Sequence, residues 1–416
     1  MDLTNHNLPE ILAPAGNPER LETALTYGAD AVYLGGPELN LRAQSQGFDW
    51  EELEQALTKI HAAGRKIYFC LNIFPVEEQL PRIKEYLQEL RQYPLDGLIV
   101  ADPGTVALAR RILPELPIHL STQANTTNSA SVNFWKEMGV QRVNLARELN
   151  LKQIRRIREA APDMELESFV HGAMCMAISG RCFLSSYLNQ RSANLGWCTH
   201  PCRYDYRVAS LGLEEKKRPG KMLWEAYQDG DYTDILASED LCLIKYLGWF
   251  IKNNINALKI EGRMKTSSYL SQVVDIYKTA LRDISQNSFR PDLYLSELGH
   301  ISSRVLGTGF FLPTGRRTVL EPPSDKIPAP VVAKLLYQES EDTWLISVRH
   351  RFEQESGFRI LVPGLQRPLV NPADYALENL EGERVSTLHS GIQGKLRSQR
   401  PELAPGLLLR KDSLLD

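Results

Sequence analysis

Four cysteines stand close together in the middle of this 416-residue chain, and they are the residues best able to do chemistry. They are Cys175, Cys182, Cys198 and Cys202, spaced as C-x6-C, then fifteen residues, then C-x3-C. Four thiolates brought together from loops bind either a tetrahedral zinc ion or a [4Fe–4S] cluster. Zinc sites usually place paired cysteines about two to four residues apart, which the first pair does not match. The spacing therefore favours an iron–sulfur cluster, whose iron atoms are spread more widely than one zinc ion.

Two further cysteines stand outside this cluster. Cys70 lies inside the apolar run Ile67–Leu71, where a cysteine behaves as a small buried hydrophobic residue. Cys242 begins a predicted helical stretch between two leucines, so we expect it in the core as well. It is nevertheless the main alternative to Cys202 as the fourth ligand of the cluster.

The segments around the cysteines predict the scaffold that positions them. Short β-like runs alternate with helical stretches up to about residue 290, which is typical of a parallel sheet with crossover helices. The predicted strands are Glu10–Ala13, Ala31–Gly35, Lys66–Phe74, Gly97–Ala101, Ile118–Ser121, Arg142–Ala146, Glu165–Val170 and Ala257–Ile260, with a weaker one near Ile235–Ala237. The predicted helices are Pro18–Tyr27, Trp50–Ala62, Glu77–Arg91, Gly104–Ile112, Leu151–Ala160 and Ser267–Ser288, the first two capped by Asn17 and Asp49. Eight such strands favour a (β/α)8 TIM-like barrel, and the absence of a G-x-G-x-x-G motif after the first strand weakens the Rossmann alternative.

Polar residues follow most of these strands. In a barrel of this kind the side chains at the C-terminal ends of the strands form the active site. Here those ends carry Gly35-Gly36, Asn72, Asp102, Ser121–Asn125, Arg147-Glu148, His171 and Glu261–Arg263. The sequence therefore predicts a polar, charged ring at the mouth of the barrel.

The pattern changes towards the C-terminus. We expect the barrel to occupy residues 1–290, with the cysteine-rich loop inserted at 172–232, and an irregular linker to follow at 291–330. Four runs beyond it, Val331–Tyr337, Asp342–Val348, Gly357–Val362 and Gly382–His389, are separated by turn residues. They predict a small antiparallel β-barrel at residues 331–416.

The bulk composition excludes several classes of protein. The first residues, MDLTNHNLPEILAPAG, lack the basic and apolar regions of a secretory signal, and no apolar run is long enough for a membrane helix, so we expect a cytoplasmic protein. Cysteines in that reducing compartment do not usually form structural disulfides. A net charge of −3 neither indicates nor excludes a nucleic-acid partner. Basic residues are frequent between Arg384 and Lys411, which is more typical of a solvated tail or an edge strand than of an RNA site.

Several motifs together resemble the U32 group, long called collagenase-like peptidases. The most specific is Glu167-Ser-Phe-x-x-Gly-Ala-Met-Cys175-x6-Cys182-x-Leu-Ser-Ser. The others are Leu12-Ala-Pro-Ala-Gly16, Gly28-Ala-Asp-Ala-Val-Tyr33, Ser121-Thr-Gln-Ala-Asn125 and Leu258-Lys-Ile-Glu-Gly-Arg263. The resemblance runs over most of the chain and includes the small C-terminal β-domain.

The resemblance implies a function that differs from the group's name. Members similar to this chain are oxygen-independent hydroxylases, and the branch that it resembles most makes 5-hydroxyuridine at the tRNA wobble position. The implied cofactor is a [4Fe–4S] cluster on Cys175, Cys182, Cys198 and Cys202, and the implied hydroxyl source is prephenate. Iron–sulfur assembly and electron-transfer proteins are the implied partners beside tRNA. A second branch makes 5-hydroxycytidine in ribosomal RNA, and its members are typically longer.

Candidate site residues follow from this chemistry. Prephenate carries two carboxylates, which arginines bind by bidentate pairing. The predicted substrate-binding residues are Arg42, Arg147, Arg181, Gln123 and Asn125. The predicted catalytic residues are His171, Glu167, Glu261 and Arg263, and the last two occupy alternate positions of one strand end, where they could pair with each other.

Two other classes of function stay open at this stage. A peptidase would use Cys175 as a nucleophile with His171 as its base, since the chain has neither an H-E-x-x-H nor a G-x-S-x-G motif. Four clustered cysteines favour a shared metal cluster over that arrangement. A non-catalytic RNA-binding protein is the other class, but it would not explain the polar ring at the mouth of the barrel.

Overall fold

A computed structural model gives the architecture of the chain. It describes residues 7–41, 47–174, 182, 184–203, 213–214, 222–224, 227–229, 232–234, 239–302, 304–313, 315, 317–321 and 329–412. The weak strand expected near Ile235–Ala237 lies outside these residues.

Parallel strands close into a barrel within the described residues. The barrel strands are β1 (Glu10–Pro14), β2 (Ala31–Leu34), β3 (Lys66–Leu71), β4 (Gly97–Val100), β5 (Ile118–Leu120), β6 (Arg142–Asn144), β7 (Glu165–Ala173) and β13 (Ala257–Ile260). Each pairs in parallel with the next, and β13 closes the ring because it pairs with both β7 and β1. The predicted TIM-like barrel, with all eight of its strands, is confirmed.

Helices cover the outside of the barrel. They are α1 (Pro18–Thr26), α2 (Trp50–Ala62), α3 (Leu80–Leu90), α4 (Pro103–Ile112), α5 (Ser129–Glu137), α6 (Leu151–Ala160), α7 (Leu184–Asn189), α8 (Leu247–Lys252), α9 (Ser267–Ser285) and α10 (Pro291–Gly299). The side chains of Asn17 and Asp49 cap α1 and α2 as predicted, each accepting a hydrogen bond from a backbone N–H of the first turn. The helices named from the sequence do not include α5, α7, α8 or α10, although Asn128 caps the start of α5 in the same way. No helix in the described part of the chain is long and apolar enough to cross a membrane.

Short elements fill the segment between β7 and β13. They include β8 (Leu213–Glu214), β9 (Met222–Trp224), β10 (Tyr227–Asp229), β11 (Tyr232–Asp234) and β12 (Asp240–Cys242). β12 runs antiparallel to the end of β7 and adds to the barrel sheet. Cys242 therefore ends a strand, whereas we expected it to begin a helical stretch.

The segment expected to be an irregular linker also carries regular structure. It begins with α10, and β14 (Leu306–Gly307) then pairs with β12, while β15 (Thr318–Leu320) pairs with β14. Its proline-rich run, at residues 322–328, lies outside the described residues, as do residues 303, 314 and 316. Within this segment β14 and β15 thus extend the barrel sheet.

The C-terminal domain is built from antiparallel strands. They are β16 (Val331–Ser340), β17 (Thr343–Val348), β18 (Phe352–Glu353), β19 (Phe358–Leu361), β20 (Leu369–Val370), β21 (Ala376–Glu378), β22 (Thr387–Leu388), β23 (Gln393–Arg397) and β24 (Leu408–Lys411). Seven of the described strands form one sheet in the order β20-β19-β24-β16-β17-β23-β21, which is a half-barrel. The predicted antiparallel domain is confirmed, but the strand expected at Gly382–His389 shrinks to β22.

A buried polar network joins the two domains. Glu297 on α10 accepts hydrogen bonds from Arg410 at 3.0 and 3.1 Å and from Arg367 at 2.9 Å. Arg367 also donates to Asp275 on α9 at 2.7 Å. Burial opposes ionisation of Glu297, but the hydrogen bonds and charges of the two arginines outweigh it and lower its pKa to about 2.

The interior of the barrel has an apolar side and a charged side. Leu12, Tyr33, Tyr68, Cys70 and Ile99 form a small cluster of their own inside β1 to β4, apart from the main core between strands and helices. Cys70 is buried there as predicted. The opposite wall, made by β6, β7 and β13, carries charged side chains instead.

Candidate active site at the barrel mouth

A cavity of about 40 Å³ lies at the C-terminal ends of the barrel strands. Its walls are Tyr33, Leu41, Asn72, Ser121, Thr122, Gln123, Asn144, Arg147, Phe169, Lys259, Glu261 and Arg263. Four predicted site residues, Gln123, Arg147, Glu261 and Arg263, therefore meet in one place. This is the end of the barrel at which enzymes with this fold place their active sites.

Lys259 is the cavity residue that the sequence analysis overlooked. It lies on β13 two residues before Glu261, so strand alternation turns both side chains to the barrel interior. Its ammonium group is buried and donates to Oε1 of Glu167 at 2.8 Å. The same group lies 4.4 Å from the centre of the Tyr33 ring and 5.6 Å from that of Phe169. Positions 259, 261 and 263 are alternate residues, which face the same side of an extended chain. This spacing from the two predicted site residues could have revealed Lys259.

Glu167 sits below the cavity, deep in the barrel. Its second carboxylate oxygen has no hydrogen-bond partner among the described residues and lies 3.8 Å from Arg142. Arg142 is already engaged, since it donates to Glu10 and Glu165 at 2.8 Å each. Lys259 is therefore the main counter-charge of Glu167, and the predicted catalytic Glu167 reaches the cavity only through it.

Glu261 and Arg147 face each other across the mouth. Their closest charged atoms, Oε2 and Nη2, are 3.9 Å apart, and the Tyr33 hydroxyl lies 3.4 Å from the same oxygen. The guanidinium of Arg147 stacks on the Phe169 ring at 3.8 Å. The ion pair that the structure shows for Glu261 is thus with Arg147, rather than with Arg263.

Arg263 differs from the other charged residues of the cavity in the surroundings of its guanidinium group. Its side chain is buried, and its guanidinium has no ion pair or hydrogen bond with any described residue. Gly35 leaves room for it, because a Cβ at that position would lie 3.1 Å from Nη1 of Arg263. The backbone carbonyl of Arg263 accepts a hydrogen bond from Arg20 at 2.7 Å, which fixes the turn that follows β13. A buried guanidinium without an ion pair is suited to binding an anion.

His171 does not reach the cavity. A β-bulge at Val170 shifts the register between β7 and β13, so that His171 pairs with Ile260 and both face outwards. The Tyr277 hydroxyl donates to the Val170 carbonyl at 2.9 Å, and His171 Nδ1 lies 3.2 Å from that hydroxyl. Burial lowers the pKa of His171 to about 4, so its ring is neutral near pH 7.

The turn after β5 supplies the two predicted amide residues. Gln123 lines the cavity, whereas Asn125 does not. Asn125 has a left-handed backbone with φ of 53° and ends the short helix that begins at Thr122. Asn144 is another amide residue that lines the cavity. Its side-chain oxygen is buried in the cavity wall and has no hydrogen-bond partner among the described residues.

Three of the four clustered cysteines lie among the described residues. Cys182 precedes α7, and Ser185 of α7 accepts a 3.1 Å hydrogen bond from the backbone of Thr199, between Cys198 and Cys202. The side chain of Asn189 donates to Thr199 at 2.7 Å. α7 therefore holds the two cysteine segments side by side. Cys175, Arg42 and Arg181 lie outside the described residues.

Thiolates in one loop are donors of the kind that an iron–sulfur cluster takes, and the cluster on these four cysteines stays a prediction. Across the described ranges, no three cysteine, histidine or carboxylate side chains converge on one metal position. In a cubane each thiolate binds its own iron and the sulfurs accept backbone N–H bonds. The backbone nitrogen of His200 lies 3.4 Å from Sγ of Cys198, to which its N–H donates. Cys242 is buried in the barrel sheet beside His171 and receives a 3.8 Å contact from the Tyr277 hydroxyl, which keeps Cys202 our predicted fourth ligand.

The cysteine loop is also attached to the barrel mouth. The backbone N–H of Phe74, just after β3, donates to the carbonyl of Asn194 at 3.2 Å. Asn72, two residues earlier, lines the cavity. The fold and the site thus define an α/β-barrel protein with a cationic cavity and a cysteine-rich loop at its catalytic end.

Comparison with known proteins identifies the family. Residues 16–320 match the family described as peptidase family U32, and the chain belongs to it. The tRNA hydroxylation protein P of Escherichia coli K12 is 38% identical over 336 residues, which cover 73% of this chain and 74% of that protein. The 23S rRNA 5-hydroxycytidine C2501 synthase of the same bacterium is 32% identical and covers 76% of this chain and 45% of the synthase. A collagenase of Porphyromonas gingivalis is 30% identical, with coverage of 74% of each chain.

Proposed function

We propose that this chain is an iron–sulfur-dependent, oxygen-independent RNA hydroxylase that makes 5-hydroxyuridine at the tRNA wobble position. The observation that carries the proposal is its 38% identity, over nearly three quarters of both chains, to a protein named for tRNA hydroxylation. The proposed hydroxyl source is prephenate. A tRNA substrate also implies that the protein acts in the cytoplasm.

The charges of the cavity support an anionic co-substrate. Three cations, Lys259, Arg147 and Arg263, line the cavity together with Glu261, and Glu167 lies beneath it. Lys259 pairs with Glu167 and Arg147 with Glu261, which leaves the charge of Arg263 unbalanced among the described residues. Because a buried unpaired charge is costly, one carboxylate in the cavity would stabilise it. A volume of about 40 Å³ suits a carboxylate rather than a whole nucleobase.

The residues of the mouth then have separate tasks. Arg263 binds the carboxylate of prephenate in bidentate fashion, and Lys259 adds a second positive charge beneath it. Gln123 and Asn144 offer amide groups that can hydrogen-bond the edge of a uracil ring presented at the opening. A [4Fe–4S] cluster held by Cys175, Cys182, Cys198 and Cys202 would supply an electron or a Lewis-acidic iron beside this opening. Iron–sulfur assembly and electron-transfer proteins are the partners that such a cofactor requires.

Complementation tests this proposal. The chain is expressed without oxygen in an E. coli strain that lacks tRNA hydroxylation protein P, and tRNA nucleosides are measured by mass spectrometry. We expect wild-type protein to restore 5-hydroxyuridine and its derivatives, and Arg263→Met to lower them at least tenfold. Arg155→Met is the matched control, because Arg155 is exposed on α6 and should leave the modification unchanged. Wild-type protein that restores no modified uridine would overturn the proposal.

Two other activities, suggested by relatives in the family, are tested with their own assays. The ribosomal RNA relative predicts 5-hydroxycytidine in 23S rRNA instead, which nucleoside analysis of purified ribosomes detects. The collagenase relative predicts peptide cleavage, which should then depend on Cys175 as the nucleophile. Peptide cleavage by pure protein that Cys175→Ala abolishes, with RNA left unmodified, would favour the peptidase.

A further inference from the structure

Trp197 is a large aromatic residue with about half of its surface exposed to solvent. It precedes Cys198 in the cysteine loop, and 51% of the residue is exposed to solvent. The guanidinium of Arg191 lies 5.7 Å from the centre of its ring. An exposed tryptophan with a cation beside it combines a flat apolar face with a positive charge.

The loop presents this pair on a fixed turn. The N–H of Trp197 donates to the carbonyl of Ser192 at 3.0 Å, and that of Gly196 donates to Ala193 at 3.3 Å. Gly196 has a φ of 90°, a left-handed conformation that glycine adopts without strain. The turn is therefore closed by its own backbone, and little ordering is needed when a ligand meets the ring.

The turn is close to the cavity. Asn194 is hydrogen-bonded to Phe74, two residues from the cavity residue Asn72, and Trp197 is three residues from Asn194. At the length of an extended chain, these steps place the backbone of Trp197 within roughly 20 Å of Asn72. Val76 and Met264, which follow β3 and β13 at the same end of the barrel, are about half exposed as well.

We propose that Trp197 and Arg191 form a stacking platform for an unpaired RNA base that neighbours the base presented at the cavity opening. This inference rests on the proposed RNA substrate and names the surface that holds its single-stranded part. Unpaired bases stack on aromatic rings in proteins that bind single strands, and a nearby arginine strengthens the contact through its charge. A base presented at the cavity opening must leave its stack, so its neighbour loses a stacking partner, which Trp197 replaces.

A double-mutant cycle tests the platform. Anticodon stem-loops, either intact or carrying an abasic site at one loop position, are titrated with wild-type protein and with Trp197→Ala, and binding is followed by fluorescence anisotropy. Loss of one stacked base weakens binding about tenfold. We expect Trp197→Ala to lose about tenfold on the intact RNA, and less than about twofold when the contacted base is already missing.

Control variants separate stacking from other effects. Trp197→Phe should keep most of the affinity, and Phe134→Ala should keep all of it, because Phe134 is 49% exposed on α5. The iron content of each variant must equal that of wild type, since Trp197 adjoins a proposed cluster ligand. Equal losses for Trp197→Ala on every abasic RNA, or no loss at all, would overturn the platform. Wild-type protein that binds no stem-loop would instead remove the proposed RNA function, and the platform with it.

Discussion

Replacement of Lys259 by methionine should destabilise the barrel strongly, although the substitution keeps the size and apolar stem of the side chain. Glu167 would remain buried with Arg142 at 3.8 Å as its nearest cation, and Arg142 already serves Glu10 and Glu165. Removing one partner of a buried ion pair costs about 3–5 kcal/mol, since the other charge is left uncompensated. The midpoint of thermal unfolding should fall by roughly 3–6 °C.

The double variant Lys259→Met with Glu167→Gln identifies the cause of this loss. With no charge left to compensate, it should recover more than half of the stability lost by Lys259→Met alone, as measured by calorimetry. Lys59→Met is the control, because its pair with Glu22 is about half exposed and contributes less than about 1 kcal/mol. The reasoning is refuted if Lys259→Met costs no more than Lys59→Met, or if the double variant is less stable than the single one.

Three further outcomes follow from the geometry. Because the folded pKa of Glu297 is about 2, against an ordinary 4.5, its contribution to stability is complete above pH 4.5 and is lost as pH falls towards 2; Glu297→Gln should remove this acid-dependent part of the unfolding midpoint. His171 has a pKa of about 4, so the rate of tRNA modification in His171→Asn should keep the wild-type pH profile between about pH 6 and 8. Gly172→Ala should cost about 2 kcal/mol or more in denaturant unfolding, since φ is 103° and a Cβ would collide with the Glu261 carbonyl, whereas Gly64→Ala meets no neighbour and should cost about 1 kcal/mol.

Strand periodicity and polar strand ends were enough to predict the barrel and much of its mouth. Gln123, Arg147, Glu261 and Arg263 follow predicted strands, and a closed parallel barrel brings all such ends together. Their meeting is therefore a consequence of topology, which the alternation of strands and helices reveals. Pairing between them depends on side-chain rotamers, and so the partner of Glu261 was not predictable.

Features that break the regular repeat could not be predicted in the same way. The bulge at Val170 changes the face on which His171 lies, and nothing in the local sequence marks an inserted residue. The short strands of the C-terminal domain, such as β21 and β22, depend on long-range pairing rather than on their own composition. The buried ion pair of Glu167 with Lys259 needs the two strands β7 and β13 in register, which only the folded barrel supplies.

Reconstitution is the most direct test of the central claim. Protein purified without oxygen is examined for absorbance at about 400 nm. It is then incubated with unmodified tRNA and prephenate, and the tRNA is digested for mass spectrometry. We predict a brown protein that adds one oxygen atom to the wobble uridine, only when prephenate is present. A colourless, zinc-loaded protein, or an intact cluster that leaves every uridine unchanged, would contradict the account.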